Sequence, residues 1–353
     1  MPTEETIVLH DLLARHTRAG ALSIPLPKSW VQCTACGHRC KIPPGRDGIC
    51  KVRFNEGGVL RVPYGYAAGL AVDPIEKKPF FHAFPGARAL SFGMLGCDYH
   101  CAYCQNWITS QALRDPAAGT SPTLITAEKI VGLALEHRVP VITSTYNEPL
   151  ITSEWAMEIF ALAHSHGIAG SYVSNGNGTP EVINYLRPYL RLWKVDLKSF
   201  REETYRQLGG TLGAVLDTIR EVHRSGIWIE VVTLLVADFN DSEGELADMA
   251  EFLAGVSPDI PWHVTAFHQD YRMKDPAPTT ARMLARAAAF GKEAGLRYVY
   301  AGNLPGQTGS LENTLCPSCH ALLIERRGFQ VLANRLQHGA CHACGRAIPG
   351  VWG

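Results

Sequence analysis

The sequence predicts an α/β fold, a partial or full (β/α) barrel carrying small cysteine-rich appendages at its N- and C-terminal ends. Three observations predict it. Between residues 88 and 301, short apolar segments alternate with longer helical patterns through at least six repeats. No GxGxxG fingerprint follows the first of these strands, which disfavours a dinucleotide-binding open sheet. All eleven cysteines fall into three groups, and two of those groups lie outside the regular stretch.

The elements follow in order. A helix is expected from Ile7 to about Ala19, before the Pro25 and Pro27 segment stops regular structure. Residues 31–60 hold the first cysteine group in a Gly- and Pro-containing knuckle. Tyr64 to Gly86 reads as irregular and contains Asp73-Pro74-Ile75-Glu76-Lys77-Lys78-Pro79. Strands are then expected at 88–95, 139–145, 169–174, 191–197, 227–236, 262–268 and 297–301. Helices are expected at 126–137, 151–166, 179–187, 212–225, 242–254 and 279–294. Strands of this kind separated by helices make βαβ units and a parallel sheet. The number of repeats favours a barrel over a doubly wound sheet. The connection 96–125 is long and loop-like. Thr126 with Lys129 predicts an N-cap, and Ser242 with Glu245 a capping box. After residue 310 the rhythm ends. Two cysteine pairs flank a hairpin-like run from Arg326 to Leu332, which predicts an appended ribbon. The expected units are 1–86, 87–310 and 311–353.

With 353 residues and 46% hydrophobic composition, the chain can bury a large core. Lys plus Arg and Asp plus Glu are 33 each, so bulk charge supplies no grip on nucleic acid or anionic lipid. No apolar stretch reaches membrane-spanning length, and Met1-Pro2-Thr3-Glu4-Glu5 lacks the basic-then-apolar order of a signal peptide. A cytoplasmic location is therefore expected, with neither membrane nor nucleic acid as a partner. A disulfide scaffold suits small secreted chains, so metal ligation is the better account of the cysteines.

The central group lies in Gly96-Cys97-Asp98-Tyr99-His100-Cys101-Ala102-Tyr103-Cys104, a C-x3-C-x2-C spacing. Zinc and iron–sulfur clusters normally take four protein ligands, and here a fourth is missing. Three thiolates would leave one iron of a 4Fe-4S cluster open to a non-protein ligand. Cys97 directly follows the first strand of the repeat, and catalytic groups of parallel α/β folds gather at the carboxyl ends of strands. The rival accounts are a three-ligand zinc site and a four-ligand site that borrows His100.

With Tyr103 just before the last cysteine, this spacing resembles the signature of radical S-adenosylmethionine (SAM) enzymes. The resemblance implies a barrel of the radical SAM type. It further implies that SAM chelates the unique iron of a cluster on Cys97, Cys101 and Cys104. A low-potential donor such as flavodoxin or ferredoxin then supplies one electron, and a 5′-deoxyadenosyl radical abstracts hydrogen. Gly93-Met94-Leu95-Gly96-Cys97 through Cys104-Gln105-Asn106-Trp107 resembles the pyruvate formate-lyase activating enzyme-like branch. Asp73 to Pro79 and Tyr298-Val299-Tyr300-Ala301-Gly302-Asn303-Leu304-Pro305-Gly306 look more like the radical SAM component of the AmmeMemoRadiSam system. That system is named for its association with the Memo and AMMECR families, whose members become expected partners. The likeness runs from about Val31 to the C-terminus. It implies an enzyme acting on a protein or peptide. The alternatives are an oxidoreductase or transferase acting on a small metabolite, and a zinc-ribbon binding protein without SAM chemistry.

The same resemblance suggests cofactor contacts. Glu148, in Asn147-Glu148-Pro149, stands where relatives have an acid-ended motif gripping the SAM ammonium. Its structural alternative is a helix N-cap, because Pro149 can open the next helix. Asn175 lies in Ser174-Asn175-Gly176-Asn177-Gly178, whose glycines allow close backbone approach. Asp196 and Lys198 alternate with apolar residues and face one side, so they either pair or bind a ligand. Tyr103 and Thr233 complete the expected cofactor set. His263 and Thr265 share a strand face. With His268, Tyr300 and Asn303 they form the expected substrate pocket.

Cys316, Cys319, Cys341 and Cys344 follow C-x2-C-x21-C-x2-C, a strong four-thiolate signal for zinc or iron. Cys33, Cys36, Cys40 and Cys50 follow C-x2-C-x3-C-x9-C, which suits zinc or an auxiliary iron–sulfur cluster.

Overall fold

The computed structural model describes residues 4–353. Its centre is an eight-stranded sheet whose strand order follows the chain. The strands are β1 (Gly69–Pro74), β2 (Arg88–Gly93), β3 (Val141–Ser144), β4 (Ala169–Ser174), β5 (Leu190–Asp196), β6 (Trp228–Leu235), β7 (Trp262–Ala266) and β8 (Val299–Gly302). Strands β2 to β8 are parallel, with Val141 opposite Ala89 and Val231 opposite Trp262. β1 pairs antiparallel with β2. The order ends at β1 on one side and β8 on the other, so the barrel is partial and open along a seam.

Helices cover the outer face. Ser153–His164 buries Trp155, Ile159 and Phe160, and the Phe160 ring lies 5.8 Å from that of Tyr172 on β4. Several helices start on a hydroxyl that accepts a backbone N–H of the first turn: Thr126 from Lys129, Thr179 from Val182, Ser242 from Glu245 and Thr280 from Met283. The box expected at Ser242 is not reciprocal. Glu245 turns its carboxylate instead to Ser199 Oγ and Phe200 N, at 2.5 and 2.7 Å.

Three differences from the sequence expectation stand out. The N-terminal helix ends at Arg15, and Thr17–Ala19 is a strand paired with Val59–Pro63. Ladder bonds to a distant segment outweigh local helical preference there. The segment read as irregular supplies β1, an edge strand, where Pro74 leaves no ladder donor missing from the sheet interior. A short helix, Glu202–Leu208, follows β5 and closes on Gly209 in the left-handed region.

The chain between β1 and β2 forms a strap, residues 75–86, tied to both barrel and ribbon. Glu230 on β6 accepts the N–H groups of Phe81 and His82, each at 2.9 Å, and bonds His263 Nε2 at 2.7 Å. His82 bonds Pro349 O at 2.7 Å and the Tyr300 hydroxyl at 2.6 Å. Arg326 of the ribbon donates to Phe81 O at 2.7 Å, and Phe84 pairs its backbone with Val351. Burial pushes the His82 imidazole down to about 4, so it serves this network uncharged.

The N-terminal knuckle is clamped onto the barrel by a buried ion pair and by a more exposed one, Arg39 with Glu181. Arg53 donates to both carboxylate oxygens of Glu154, each at 2.7 Å, and to Ile151 O at 3.0 Å. The two side chains are 1% and 4% exposed. Burial opposes ionisation of Glu154, but the guanidinium more than offsets it and holds the carboxyl below its usual range. A depressed folded-state value means the stabilisation is present above the unfolded carboxyl value and is lost as pH falls through the folded one. Glu154→Gln is therefore expected to cost about 3–5 kcal/mol at neutral pH. In urea titrations that deficit is expected to shrink below about pH 4, where the parent protein loses the charge as well.

Candidate functional site

At the end of β2 the chain turns sharply into the central cysteine loop. Gly96 makes this turn at φ 92, packed against the knuckle. A Cβ there would lie 2.9 Å from Val52 Cγ1 and 3.1 Å from Cys50 O. Only glycine fits both the conformation and the space. The loop is then fixed by Asp98, whose side chain is fully buried. Its Oδ1 accepts from Asn175 Nδ2 at 2.7 Å and its Oδ2 from Asn177 Nδ2 at 2.8 Å. The His38 ring bonds Asp98 O at 3.2 Å, joining the knuckle to the same point.

Cys97, Cys101 and Cys104 are all free thiols. Tyr99 N donates to Cys97 Sγ at 3.3 Å, and Cys104 Sγ lies 3.2 Å from Ser110 Oγ. Burial raises all three thiols, and at Cys97 the charges of Asp98 and Glu148 add to it; Cys101 is pushed up to about 12. Such thiols give up their protons to a metal rather than to water. The polar neighbours in the loop have partners of their own. Asp98 is held by the two asparagine amides, although its Oδ1 stays 3.8 Å from Cys97 Sγ. The His100 ring packs on Gly209, where a Cβ would meet its Cε1 at 2.5 Å. The loop offers three thiols, not drawn within 4.8 Å of one another as the ribbon's four are, and three thiols would leave one iron of a four-iron cluster for another ligand.

The loop borders a cleft of about 370 Å³ lined by Cys101, Tyr103 and Cys104. Asp196 and Lys198 line it too, as does Lys194 on the same face of β5. Asp196 is bonded by Lys194 through Oδ1 and by Lys198 through Oδ2, the latter at 3.0 Å. Burial opposes its ionisation, yet the two ammonium groups hold its carboxyl at about 2. Lys198 Nζ also stands 5.9 Å over the Tyr103 ring. Across the cleft, Lys77 and Lys78 reach in from the strap. Thr265, Asn303 and the ribbon's Phe329 complete the wall.

Several expected site residues lie elsewhere. Glu148 is the N-cap of a short 3₁₀ turn. Its carboxylate accepts from Leu150 N, Ser174 Oγ and Asn175 N, at 3.1, 2.7 and 2.7 Å. Pro149 begins the turn, and the side chain joins that turn to the end of β4. Burial and the Asp98 charge push its carboxyl up to about 8. Asn175 holds Asp98 and does not line the cleft. Thr233 donates to Leu197 O and accepts from Trp262 Nε1. The β6 residues that reach the cleft are its neighbours Val232 and Leu234, as strand alternation requires. His263 and Tyr300 belong to the strap network described above. His268 is exposed and bonds Gln105.

Sequence reasoning passed over Asn177, Lys194, Tyr146 and the strap lysines. Lys194, Asp196 and Lys198 form a charged alternation in an apolar strand, so that signal was available. Tyr146 carried none: it adopts φ 71 and reaches the strap through its hydroxyl.

The C-terminal cysteines form a compact set. Cys316 Sγ lies 3.6 Å from Cys344 Sγ, and Cys319 Sγ 3.6 Å from Cys341 Sγ. All four sulfurs lie within 4.8 Å of one another, a geometry that fits one tetrahedral ion. Among the described residues no other group of three or more His, Cys, Asp or Glu side chains is gathered so closely.

The fold is thus a parallel α/β partial barrel whose cysteine loop, at a strand end, borders the cleft. The model of the Radical SAM superfamily matches residues 93–253, and that stretch is a Radical SAM superfamily domain. An uncharacterized protein of Methanocaldococcus jannaschii is 35% identical over 322 residues, 90% of this chain and 95% of that one. Among solved structures, a radical SAM methyltransferase from Sphaerobacter thermophilus aligns over 65% of this chain and 71% of its own, at 16% identity and TM-score 0.49. A domain of a pyruvate-formate lyase-activating enzyme from Bacteroides vulgatus aligns over 46% and 98%, at 19% identity and TM-score 0.41.

Two outcomes follow from this geometry. Asn175→Ala removes one of the two amides on a buried carboxylate and is expected to cost about 1–3 kcal/mol. The variant should retain less iron, while its loaded fraction binds SAM like the parent. Stripping metal from the ribbon with a chelator, or Cys341→Ser, is expected to loosen the strap. Hydrogen exchange at Phe81, His82 and Phe84 would then rise while exchange in β3 and β4 stays slow.

Proposed function

We propose that the protein cleaves SAM reductively at a 4Fe-4S cluster held by Cys97, Cys101 and Cys104, and abstracts hydrogen from a protein or peptide substrate. The observation that carries this proposal is a loop of three thiols at a strand end, beside a cleft, whose neighbour Asp98 is held by two asparagine amides. When bound, the cluster and SAM supply one-electron cleavage of the sulfonium and a 5′-deoxyadenosyl radical.

The chain's own part is placement. Asp98 with its two asparagines sets the height of the loop over the cleft. Lys198, beside Cys101 and Tyr103, puts an ammonium next to the thiolates and the SAM carboxylate, where opposite charge is worth most in a poorly solvated site. Asp196 and the Tyr103 ring would flank the same cofactor. The strap and Phe329 narrow the cleft and limit access of water to a reactive species.

We further assign the chain to the radical SAM component of the AmmeMemoRadiSam system, with Memo- and AMMECR-family proteins as partners and a low-potential flavodoxin or ferredoxin as donor. Support comes from Lys77, Lys78 and Asn303. The two segments that carry the closer likeness, Asp73 to Pro79 and Tyr298 to Gly306, contribute these residues to the cleft. The C-terminal cysteines are assigned to zinc or iron, and the N-terminal four to zinc or an auxiliary cluster.

Anaerobic reconstitution is expected to yield iron with inorganic sulfide and, with SAM and a low-potential reductant, 5′-deoxyadenosine. Cys104→Ala should lose both the central cluster and that product. Zinc at the central thiols with no 5′-deoxyadenosine would overturn the proposal.

A further inference from the structure

Two lysine–aspartate–lysine sets flank one cleft. On β5, Lys194 and Lys198 share Asp196. On β1 and the strap, Lys77 and Lys78 share Asp73, each Nζ 3.0 Å from a different carboxylate oxygen. In each set two ammonium groups face one carboxylate, leaving one positive charge in excess. The lining of the cleft includes all four lysines but only one acidic side chain, Asp196.

The first set has an evident counterion, because it lies beside Cys101 and Tyr103, where three thiolates and the SAM carboxylate would gather. The second set has none. Lys78 is 4% exposed, so its charge is largely removed from water. Asp73 pairs with Lys78 but is shared with Lys77, so the set as a whole keeps one positive charge that a further anion would balance. Burial does draw Lys78 below its ordinary value, against the pull of Asp73. The Tyr146 hydroxyl stands 3.3 Å from Lys78 Nζ, and the ring lies 4.8 Å beneath the same ammonium. Tyr146 is held there in the left-handed region, a backbone conformation that a bulky residue adopts only when its surroundings impose it. Lys77 is 49% exposed and guards the entrance.

We propose that Lys78, with Lys77 and Tyr146, is a substrate subsite for an anionic group, a carboxylate or phosphate, held across the cleft from the cluster. This rests on the proposed SAM chemistry, since the second set is free only if the first serves the cofactor. Lysine binds either anion as a point charge with three donors, and the tyrosine hydroxyl, which donates weakly to Asp73 Oδ2 at 3.4 Å, would turn from it to add a neutral one. The subsite would orient the substrate so that its hydrogen-bearing carbon faces the cluster side.

The test uses the anaerobically reconstituted, SAM-loaded full chain. Succinate, inorganic phosphate and triglutamate are titrated calorimetrically, with succinamide and triglutamine as uncharged controls. At least one anion is expected to bind with one-to-one stoichiometry, and which one identifies a free diacid, a phosphate or an acidic peptide. Lys78→Gln should weaken that anion about tenfold, the loss of one charge-assisted hydrogen bond, while SAM affinity stays within about twofold. Lys78→Arg should recover binding in part. Lys77→Gln, at the exposed position, should weaken it less and covers the case in which the Lys78 variant fails to fold. Anions binding no better than the controls, or anion binding lost in Lys198→Gln but kept in Lys78→Gln, would overturn the subsite. The same preparations are assayed for 5′-deoxyadenosine. If that product forms and no anion binds, only the subsite fails. If neither cluster nor product forms, the proposed function fails and the subsite with it.

Discussion

The buried carboxylate of Asp98 is the constraint on which the site depends. A carboxylate taken out of water is tolerated only when its lone pairs are satisfied, and here two asparagine amides from the end of β4 satisfy them. The backbone of Asn175 meanwhile donates to Glu148, which is tied to Ser174 and to its own helical turn. Three strand ends are thereby locked to one cysteine loop. The knuckle joins in through His38, and through Gly37 N donating to Asn177 O at 2.8 Å. A loop with few regular backbone bonds of its own acquires a single geometry in this way, as a multi-iron ligand set requires.

The second organising device is the strap. It connects an antiparallel edge strand to the first parallel one, and it belongs at once to barrel, cleft and ribbon. Glu230 collects two strap N–H groups and two ring N atoms, from His263 and Trp228, in a fully buried position. Arg326 lies over the Phe81 ring at 4.3 Å while its guanidinium bonds the Phe81 carbonyl. Order in the ribbon is thus communicated to the residues that bring Lys77 and Lys78 into the cleft. The ribbon is a structural wall of the site as well as a four-cysteine knuckle.

Positive charge is concentrated in the cleft although the chain as a whole is neutral. Formal net charge is zero for the chain, yet one cleft gathers four lysines. Two aspartates hold these lysines in fixed directions, so ammonium groups that would otherwise sample many rotamers are preorganised. Fixed charge in a poorly hydrated cleft acts on cofactor and substrate more strongly than the same charge in open solvent.

How much of this was legible in the sequence differs from residue to residue. The parallel repeat, the three cysteine groups, the caps at Thr126 and Ser242 and the charges of Asp196 and Lys198 were readable, because each rests on local spacing: strand alternation, helical period or ligand interval. Local spacing does not reveal which face of the sheet is hollow, and so Thr233 was read one residue away from the side chains that reach the cleft. It does not reveal what a buried polar group meets. Glu148 and Asn175 were read as ligand contacts, and their hydrogen bonds run to the ends of β3 and β4 and to Asp98; His263 and Tyr300 were read as pocket, and their bonds run to Glu230 and His82. β1 was invisible because an edge strand containing Pro74 gains its stability from β2 and not from its own residues. The sequence by itself determined the order of elements and the kinds of chemistry available. Tertiary structure alone decided which polar groups meet each other and which are left facing the cleft, because hydrogen bonds and ion pairs between residues far apart in the chain are settled only when the backbone has been brought together.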